Sequence, residues 1–487
     1  MNIHLILQMA AEAMGYREAL VYEDKRLTFE ELGEAARKVA AKVQAGEKLV
    51  YLSEAHPAFP ASLFGAALAG TPFVPINYRL SDEQIAAQMK RVTPARLVTD
   101  RDVSFDGFTN QSREEIMAGD TYASEASDEE GGVAVELFTS GTTGEPKSAI
   151  LRHANLMAYI FGTVEFMSAG EDEAALLAVP PYHIAGIAAV LSSTYAGRRM
   201  VQLPNFTAES WIALAQQEGV TNAFLVPTMV QRIVDYAQDE LGGVLDLPKL
   251  QNVAYGGGKM PRSTIETAMR LLPHVNFTNA YGLTETSATI CLLGPDDHRE
   301  AFNSDDPVIA RRLGSAGKPL PTIELQIRSE DGAVCGPDEV GLVWVRGDQV
   351  SGEYKGMGSQ LDAEGWFPTK DRGFVDAGGY LFIDGRDDDV IVRGGENISP
   401  GEIEEVLRMH PSIKDVAAVA VPDTEWGEAV GVVLVCTGEV SDDEVYELVR
   451  ANLRSSRLPS VIKHMDELPY NETGKLLRRV LRDGFAN

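Results

Sequence analysis

Cysteine is nearly missing from this chain. Its three thiols, Cys291, Cys335 and Cys436, lie far apart and form no metal-ligand or redox spacing. That scarcity excludes a disulfide-stapled secreted framework and suits a reduced compartment. Long apolar runs are lacking too. The best stretch, Ile184 to Ala196, is broken by Gly, Ser and Thr and falls short of the roughly 20 apolar residues a bilayer requires. The N-terminus has no basic n-region, and Glu12 falls in its first apolar stretch. A secretory signal is therefore not expected, and the chain reads as cytoplasmic. Positive charge is in deficit, with 43 Lys and Arg against 72 Asp and Glu, a formal charge of -29. Broad docking on nucleic acid or anionic lipid needs a cation at each phosphate, so this balance opposes both. One anionic ligand, held by a local cluster of Lys, Arg and backbone N–H groups, stays compatible with it.

What is present is a soluble, globular composition: 44% hydrophobic residues over 487 positions, too many for one ordinary core. Up to about residue 280, apolar strands alternate with amphipathic helices, the pattern of layered α/β architecture. The runs "LVYL", "FVPIN", "ARLVT", "LLAVP" and "AFLVP" read as buried strands. Thr28 with Glu31, and Ser81 with Gln84, make capping boxes ahead of two helices. These α/β stretches could be two related halves. From about Leu313 to Asp384 short alternating strands and glycine turns predict a small β-rich, barrel-like subdomain. A new α/β unit opens after "GRDDDVIVRGG", with a helix over Glu402–Met409, strands "VAAVAVP" and "GVVLV", and a helix from Ser441. About a hundred residues suffice for a separate lid-sized domain. Segment 120–132, rich in Glu, Asp, Ser and Gly, reads as a solvated loop.

The sharpest local signal is "LFTSGTTGEPKSAI" at 137–150. An apolar strand leads into Thr139, Ser140, Gly141, Thr142, Thr143 and Gly144, and Lys147 follows. Hydroxyls and unhindered backbone N–H groups, closed by one cation, are what a polyphosphate needs. The P-loop pattern GxxxxGK[ST] is the nearest rival, and it fails on a physical point. Counted from Gly141, its second glycine is replaced by Pro146, which has no N–H and a fixed φ.

"TSGTTGEPK" resembles the signature of the adenylate-forming enzymes: acyl- and aryl-CoA synthetases, luciferases and nonribosomal peptide adenylation domains. Further motifs follow in the family's order: "AYGLTET" at 280–286, "GWFPTKDRG" at 365–373, "GRDDDVIVRGGENISPGEIE" at 385–404 and "DELPYNETGKLLRRVLR" at 466–482. The resemblance implies an α/β multi-layer fold: a large N-terminal domain of two α/β subdomains and a small β-barrel-like one, plus a small mobile α+β C-terminal domain. An ATP- and acyl-binding domain over 1–385, a hinge at 386–388 and a lid over 389–487 are expected. The implied reaction is ATP- and Mg²⁺-dependent activation of a carboxylic acid as acyl-AMP, then transfer to the thiol of coenzyme A. A carrier-protein phosphopantetheine as acceptor, and a luciferase-like oxidoreductase, are the alternatives. A homodimer is one possible assembly.

In the first half-reaction a carboxylate attacks the α-phosphorus and expels pyrophosphate. An acid of pKa about 4–5 is already ionised, so no general base is needed. The site must screen anions and hold the attack in line. By resemblance, Tyr281 stacks on adenine, with Asn279, Ala280 and Gly282 beside it and Gly256, Gly257 and Gly258 on the other face. Thr284 meets phosphate and Glu285 holds Mg²⁺. Asp371 receives the ribose hydroxyls, Phe382 lies nearby, and Arg386 makes a second ribose or phosphate contact. Lys370 stands where the family commonly has glycine ("TKD" for "TGD"). Asp388 matches the hinge. Lys475 matches the mobile lysine that reaches the reacting carboxylate. The loop Arg393–Gly394–Gly395–Glu396 borders the pantetheine tunnel once the lid has turned. His183 in "PPYHIAG" occupies the gate beside the acyl carboxylate. Segments 183–190, 223–228, 255–258 and 279–286 are mostly small and apolar, which suits a hydrophobic acyl or aryl group. "PYHIAGIAAVL" has no Asp to pair a substrate ammonium. Lys259, after "GGG", could meet a second acidic group on the substrate.

Overall fold

A computed structural model describes residues 1–123, 131–139, 147–470 and 476–485. The chain divides into two compact units: Met1–Glu324 with Arg346–Phe367, and Leu325–Val345 with Pro368–Asn487.

The first unit is built on two large sheets. In the nine-stranded one, six strands run parallel in the order Asn276–Leu283, Asn252–Gly256, Asn222–Leu225, Ala174–Leu177, Arg199–Gln202, Glu18–Tyr22. Lys25–Thr28 closes one edge, and Ala288–Leu293 and Lys318–Pro319 the other, all antiparallel. The eight-stranded sheet has a parallel centre of Val133–Thr139, Phe73–Pro75, Lys48–Tyr51, Ala95–Val98 and Phe108–Gln111. Lys147–Arg152, Glu353–Tyr354 and Gly358–Ser359 extend it antiparallel. Parallel strands need crossovers, which explains why the helices lie on the sheet faces.

One core joins the two sheets. Leu20 and Met200 from the nine-stranded sheet pack with Tyr51 and Phe73 from the other, and with Leu7, Phe64 and Leu191 from helices between them. Helix Ala58–Leu68 is buried along its whole length, as an apolar sequence without a polar face demands. A second core covers the outer face of the nine-stranded sheet with Trp211, Ile233 and Ile265. A third, around Ile85 and Met89 of helix Asp82–Met89, covers the outer face of the other sheet. The layered α/β expectation holds, and both capping boxes form as read.

In the second unit, strands Glu324–Arg328, Gly341–Arg346, Phe367–Val375 and Leu381–Arg386 make a four-stranded sheet. The β-rich texture over 313–384 is thus shared out, because Lys318–Pro319, Glu353–Tyr354 and Gly358–Ser359 join the large sheets. The five-stranded C-terminal sheet is centred on Gly427–Cys436, flanked by Ile413–Asp423 and Val461–His464. Helices Pro400–Leu407 and Asp442–Asn452 pack on one face, and Arg478–Phe485 on the other. Among the described residues no helix is long and apolar enough to cross a membrane.

Buried histidines give the first unit a pH signature. His4, His56, His153 and His298 are almost fully enclosed, and burial lowers each pKa to about 4 from an ordinary 6.5. They fold neutral, so below pH 6.5 the unfolded chain takes up protons that the folded chain refuses. Stability is complete above pH 6.5 and drains as pH falls towards 4, by up to about 1.4 kcal/mol per pH unit for each histidine. The urea midpoint should drop between pH 7 and pH 5.5, and drop less in His153→Gln, which removes one of the four contributions. A midpoint level across that window would contradict the burial.

Candidate active site

Two strands of the eight-stranded sheet bring the flanks of the phosphate motif together. Thr139 ends one strand opposite Lys147, which begins the next, and its hydroxyl donates to the Lys147 carbonyl at 3.4 Å. Ser140, Gly141, Thr142, Thr143 and Gly144 lie outside the described residues. The Lys147 ammonium sits over the Tyr354 ring, 5.5 Å from its centroid.

The nine-stranded sheet supplies the second edge. Gly256 lies beside Ala280, and Tyr255 beside Asn279, on neighbouring parallel strands. A Cβ on Gly256 would stand 2.2 Å from the Ala280 carbonyl oxygen, so the close approach requires glycine. Behind it, Tyr255 and His298 share a 2.8 Å hydrogen bond. Gly257 and Gly258 continue as an exposed turn into exposed Lys259. Asn279 Nδ2 donates to the Ser315 carbonyl at 2.9 Å, and Tyr281 is half-buried opposite Cys291.

After Tyr281 the chain doubles back on itself. A Cβ on Gly282 would fall 1.7 Å from the Ala288 carbonyl oxygen. Ser287 and Ala288 take φ values of 57° and 112° to complete the reversal, a strained backbone of the kind that collects at functional sites. Thr284, Glu285 and Thr286 form a single 3₁₀ turn in it. Buried Gln349 fixes the turn, donating to the Thr286 and Thr289 carbonyls at 3.1 and 2.7 Å. The Ser351 and Gly352 N–H groups donate to the Glu285 carbonyl at 2.9 and 3.1 Å, and the Tyr354 hydroxyl donates to Glu285 Oε1 at 2.5 Å.

No cluster of three or more His, Cys, Asp or Glu side chains suited to a metal exists among the described residues. A lone oriented carboxylate fits Mg²⁺ all the same, because that ion keeps several waters and takes its remaining ligands from nucleotide phosphates. Glu285 Oε2 accepts no hydrogen bond among the described residues.

His183 precedes helix Ile184–Ala196. Its ring packs on Tyr182 at 4.5 Å, and Tyr182 meets Tyr78 edge-on at 5.5 Å. Burial, with the nearby Arg79 charge, pulls its pKa down to about 3. The imidazole is therefore neutral at physiological pH. Its Nε2 is buried without a hydrogen-bond partner among the described residues.

In the second unit, Asp371 and Arg386 face each other across two strands, and Arg386 Nη1 donates to Asp371 Oδ1 at 3.3 Å. Asp371 is buried, and Arg386 Nε is buried without a partner among the described residues. The Phe382 ring stacks on Phe374 at 4.9 Å. Asp388 is exposed in the turn Asp387–Asp389. Gly394 and Gly395 turn the chain between strands Ile391–Arg393 and Glu396–Ile398, and the Gly394 N–H donates to the Trp426 carbonyl at 2.9 Å. Lys475 lies outside the described residues.

Lys370 takes φ 64°, a left-handed conformation costly for a side-chain-bearing residue. Here glycine is the natural occupant, and the lysine is exposed. Lys370→Gly is expected to stabilise the protein by roughly 0.5–1 kcal/mol, the relief of strain outweighing the extra freedom of the unfolded glycine. Thermal unfolding of the two proteins side by side is the check, and a lower midpoint for the variant would refute it.

The AMP-binding enzyme family matches residues 7–355, and the AMP-binding enzyme C-terminal domain matches residues 402–475. The chain belongs to the AMP-binding enzyme family. It is similar end to end to 2-succinylbenzoate–CoA ligases of Bacillus cereus. One of these is 30% identical over 478 residues, covering 96% of this chain and 95% of the relative. Another, from strain AH820, is 31% identical with the same coverage. The o-succinylbenzoate CoA synthetase MenE of Bacillus subtilis, solved with ATP and magnesium ion, superposes with a TM-score of 0.85 at 28% identity, covering 98% of this chain and 99% of that one. The ATP-bound MatB of Rhodopseudomonas palustris shares the fold, with a TM-score of 0.88 at 22% identity over 100% of this chain and 99% of its own. As the motifs implied, this AMP-binding enzyme is an AMP-forming acid–CoA ligase that works with ATP, Mg²⁺ and coenzyme A.

Reading the ligase from its sequence alone missed Gln349, Ser351 and Tyr354, the brace of the Glu285 turn. No periodicity could have announced them, since "DQVSGEYKG" makes its contacts with the Glu285 turn across sixty or more positions.

Proposed function

We propose that this ligase activates an aryl acid bearing a hydrophobic body, with 2-succinylbenzoate the first candidate. The observation that carries the reading is the likeness to 2-succinylbenzoate–CoA ligases along nearly the whole chain. The chemistry agrees with it. His183, neutral and with an unpaired buried nitrogen, suits a hydrogen bond to an acyl group rather than an ion pair. Lys259, exposed at the end of the glycine turn, is the cation for a second carboxylate such as the one 2-succinylbenzoate carries.

In this reading Lys147 and the hydroxyls and N–H groups of 139–144 hold the phosphates, and Tyr281 stacks on the base. Asp371 and Arg386 take the ribose. Mg²⁺, held through Glu285, would offset phosphate charge. Lys475 stabilises the charge shared by the carboxylate and the α-phosphate. The part beyond a hinge at 386–388 then turns, and the loop at Gly394 and Gly395 admits the pantetheine thiol to the acyl-adenylate. The protein is cytoplasmic. Pyrophosphate release measured over 2-succinylbenzoate, benzoate, a medium-chain fatty acid and malonate, with CoA or a holo-carrier protein, tests the proposal. The highest kcat/KM should fall on 2-succinylbenzoate with CoA. A fatty acid turned over faster would overturn the aryl reading.

A further inference from the structure

Tyr354 touches both charged members of the nucleotide site in the first unit. Its hydroxyl donates to Glu285 Oε1 at 2.5 Å, and its ring lies beneath the Lys147 ammonium, 5.5 Å from the centroid. Opposite charges so placed would ordinarily seek each other, yet among the described residues Lys147 and Glu285 form no ion pair. The backbone explains how the tyrosine is held. Tyr354 pairs with Ala149, two residues after Lys147, and the neighbouring Lys355 N–H donates to the Ser148 carbonyl at 2.9 Å. Three residues earlier, the Ser351 N–H, with that of Gly352, secures the Glu285 carbonyl. The segment 351–355 therefore ties the strand after the phosphate motif to the turn that bears the metal carboxylate.

We infer that Tyr354 is a positioning residue for metal binding: it keeps Lys147 from quenching Glu285 and fixes the carboxylate with Oε2 outward. The inference rests on the reading of Glu285 as the Mg²⁺ ligand. A carboxylate already holding one hydrogen bond loses rotational freedom and presents one oxygen to the ion. The ring offers Lys147 a weak cation–π seat, which a bound phosphate easily outcompetes. Removing the hydroxyl but keeping the ring should disturb the metal alone. Removing the ring as well should let Lys147 fall onto Glu285 and weaken both metal and nucleotide.

The test is ATP-dependent Mn²⁺ binding by electron paramagnetic resonance, without acid substrate, together with ATP affinity in EDTA by calorimetry. Tyr354→Phe should weaken Mn²⁺ binding roughly 10-fold, the usual effect of losing a partner that orients a metal ligand. Its Mg²⁺ requirement for turnover should rise in parallel, with the KM for the acid and the ATP affinity in EDTA unchanged. Tyr354→Leu should lower both the Mn²⁺ affinity and the ATP affinity in EDTA. Wild-type Mn²⁺ affinity in Tyr354→Phe overturns the inference, provided that Glu285→Gln loses the ion. If Glu285→Gln binds Mn²⁺ normally, the metal reading of Glu285 is what fails. Equal losses of Mn²⁺ and metal-free ATP binding in Tyr354→Phe would assign the tyrosine to the nucleotide and also overturn it.

Discussion

Lys475→Ala is expected to slow acyl-adenylate formation by about 10²–10³, the usual loss when one preorganised charge-stabilising donor is removed. The attacking carboxylate and the α-phosphate are both anionic, so approach in line is opposed until a cation spans them. On the proposed reading Lys147 is engaged with the phosphates, and His183, neutral with a pKa of about 3, supplies no charge beside the carboxylate. The loss should appear in acid-dependent ATP–pyrophosphate exchange. Thioester formation from supplied acyl-AMP should be far less affected, because the leaving group is by then already in place. Equal losses in both steps would refute the assignment.

Asp388→Pro is expected to separate the half-reactions. On the proposed mechanism one small domain must present Lys475 for adenylation and then open a path for the thiol, which requires a few residues to change φ and ψ. Asp388 sits exposed inside the turn Asp387–Asp389, so the substitution disturbs no packing. Proline would fix φ near -65° and remove one N–H. ATP–pyrophosphate exchange should persist while acyl-CoA production falls on the order of tenfold or more. Both activities at the wild-type level would move the hinge elsewhere, and the unfolding midpoint of the same preparation guards against a loss of fold.

Much of this molecule was written where sequence is readable. Strands such as Lys48–Tyr51 and Asn222–Leu225 are short apolar runs between helices, and a buried parallel strand has to look like that. Thr28, Ser81 and Ser441 sit three residues ahead of the Glu or Gln that completes each cap, a purely local signal. The motifs that carry the family resemblance were legible because each combines glycine, hydroxyl and charge in a dense run. What escaped is non-local. Glu353–Tyr354 and Gly358–Ser359 are too short to show a period, and the first of them pairs with a strand some two hundred residues earlier. The left-handed backbone of Lys370 showed only through the family's glycine at that position, because a lysine does not itself advertise a positive φ.

Helix Ala58–Leu68 bears on how this protein is born. It leaves the ribosome as a segment apolar but for Ser62, long before the sheets that enclose it are finished. Strand Glu18–Tyr22 must wait for Arg199–Gln202, about 180 residues later, before it has a parallel partner. Until then the nascent chain carries an unroofed greasy rod and an open strand edge, the two features that trigger aggregation and recruit holdase chaperones. Synthesis paused or cut short before residue 202 leaves that liability uncovered, and the yield of active ligase depends on passing through this window quickly.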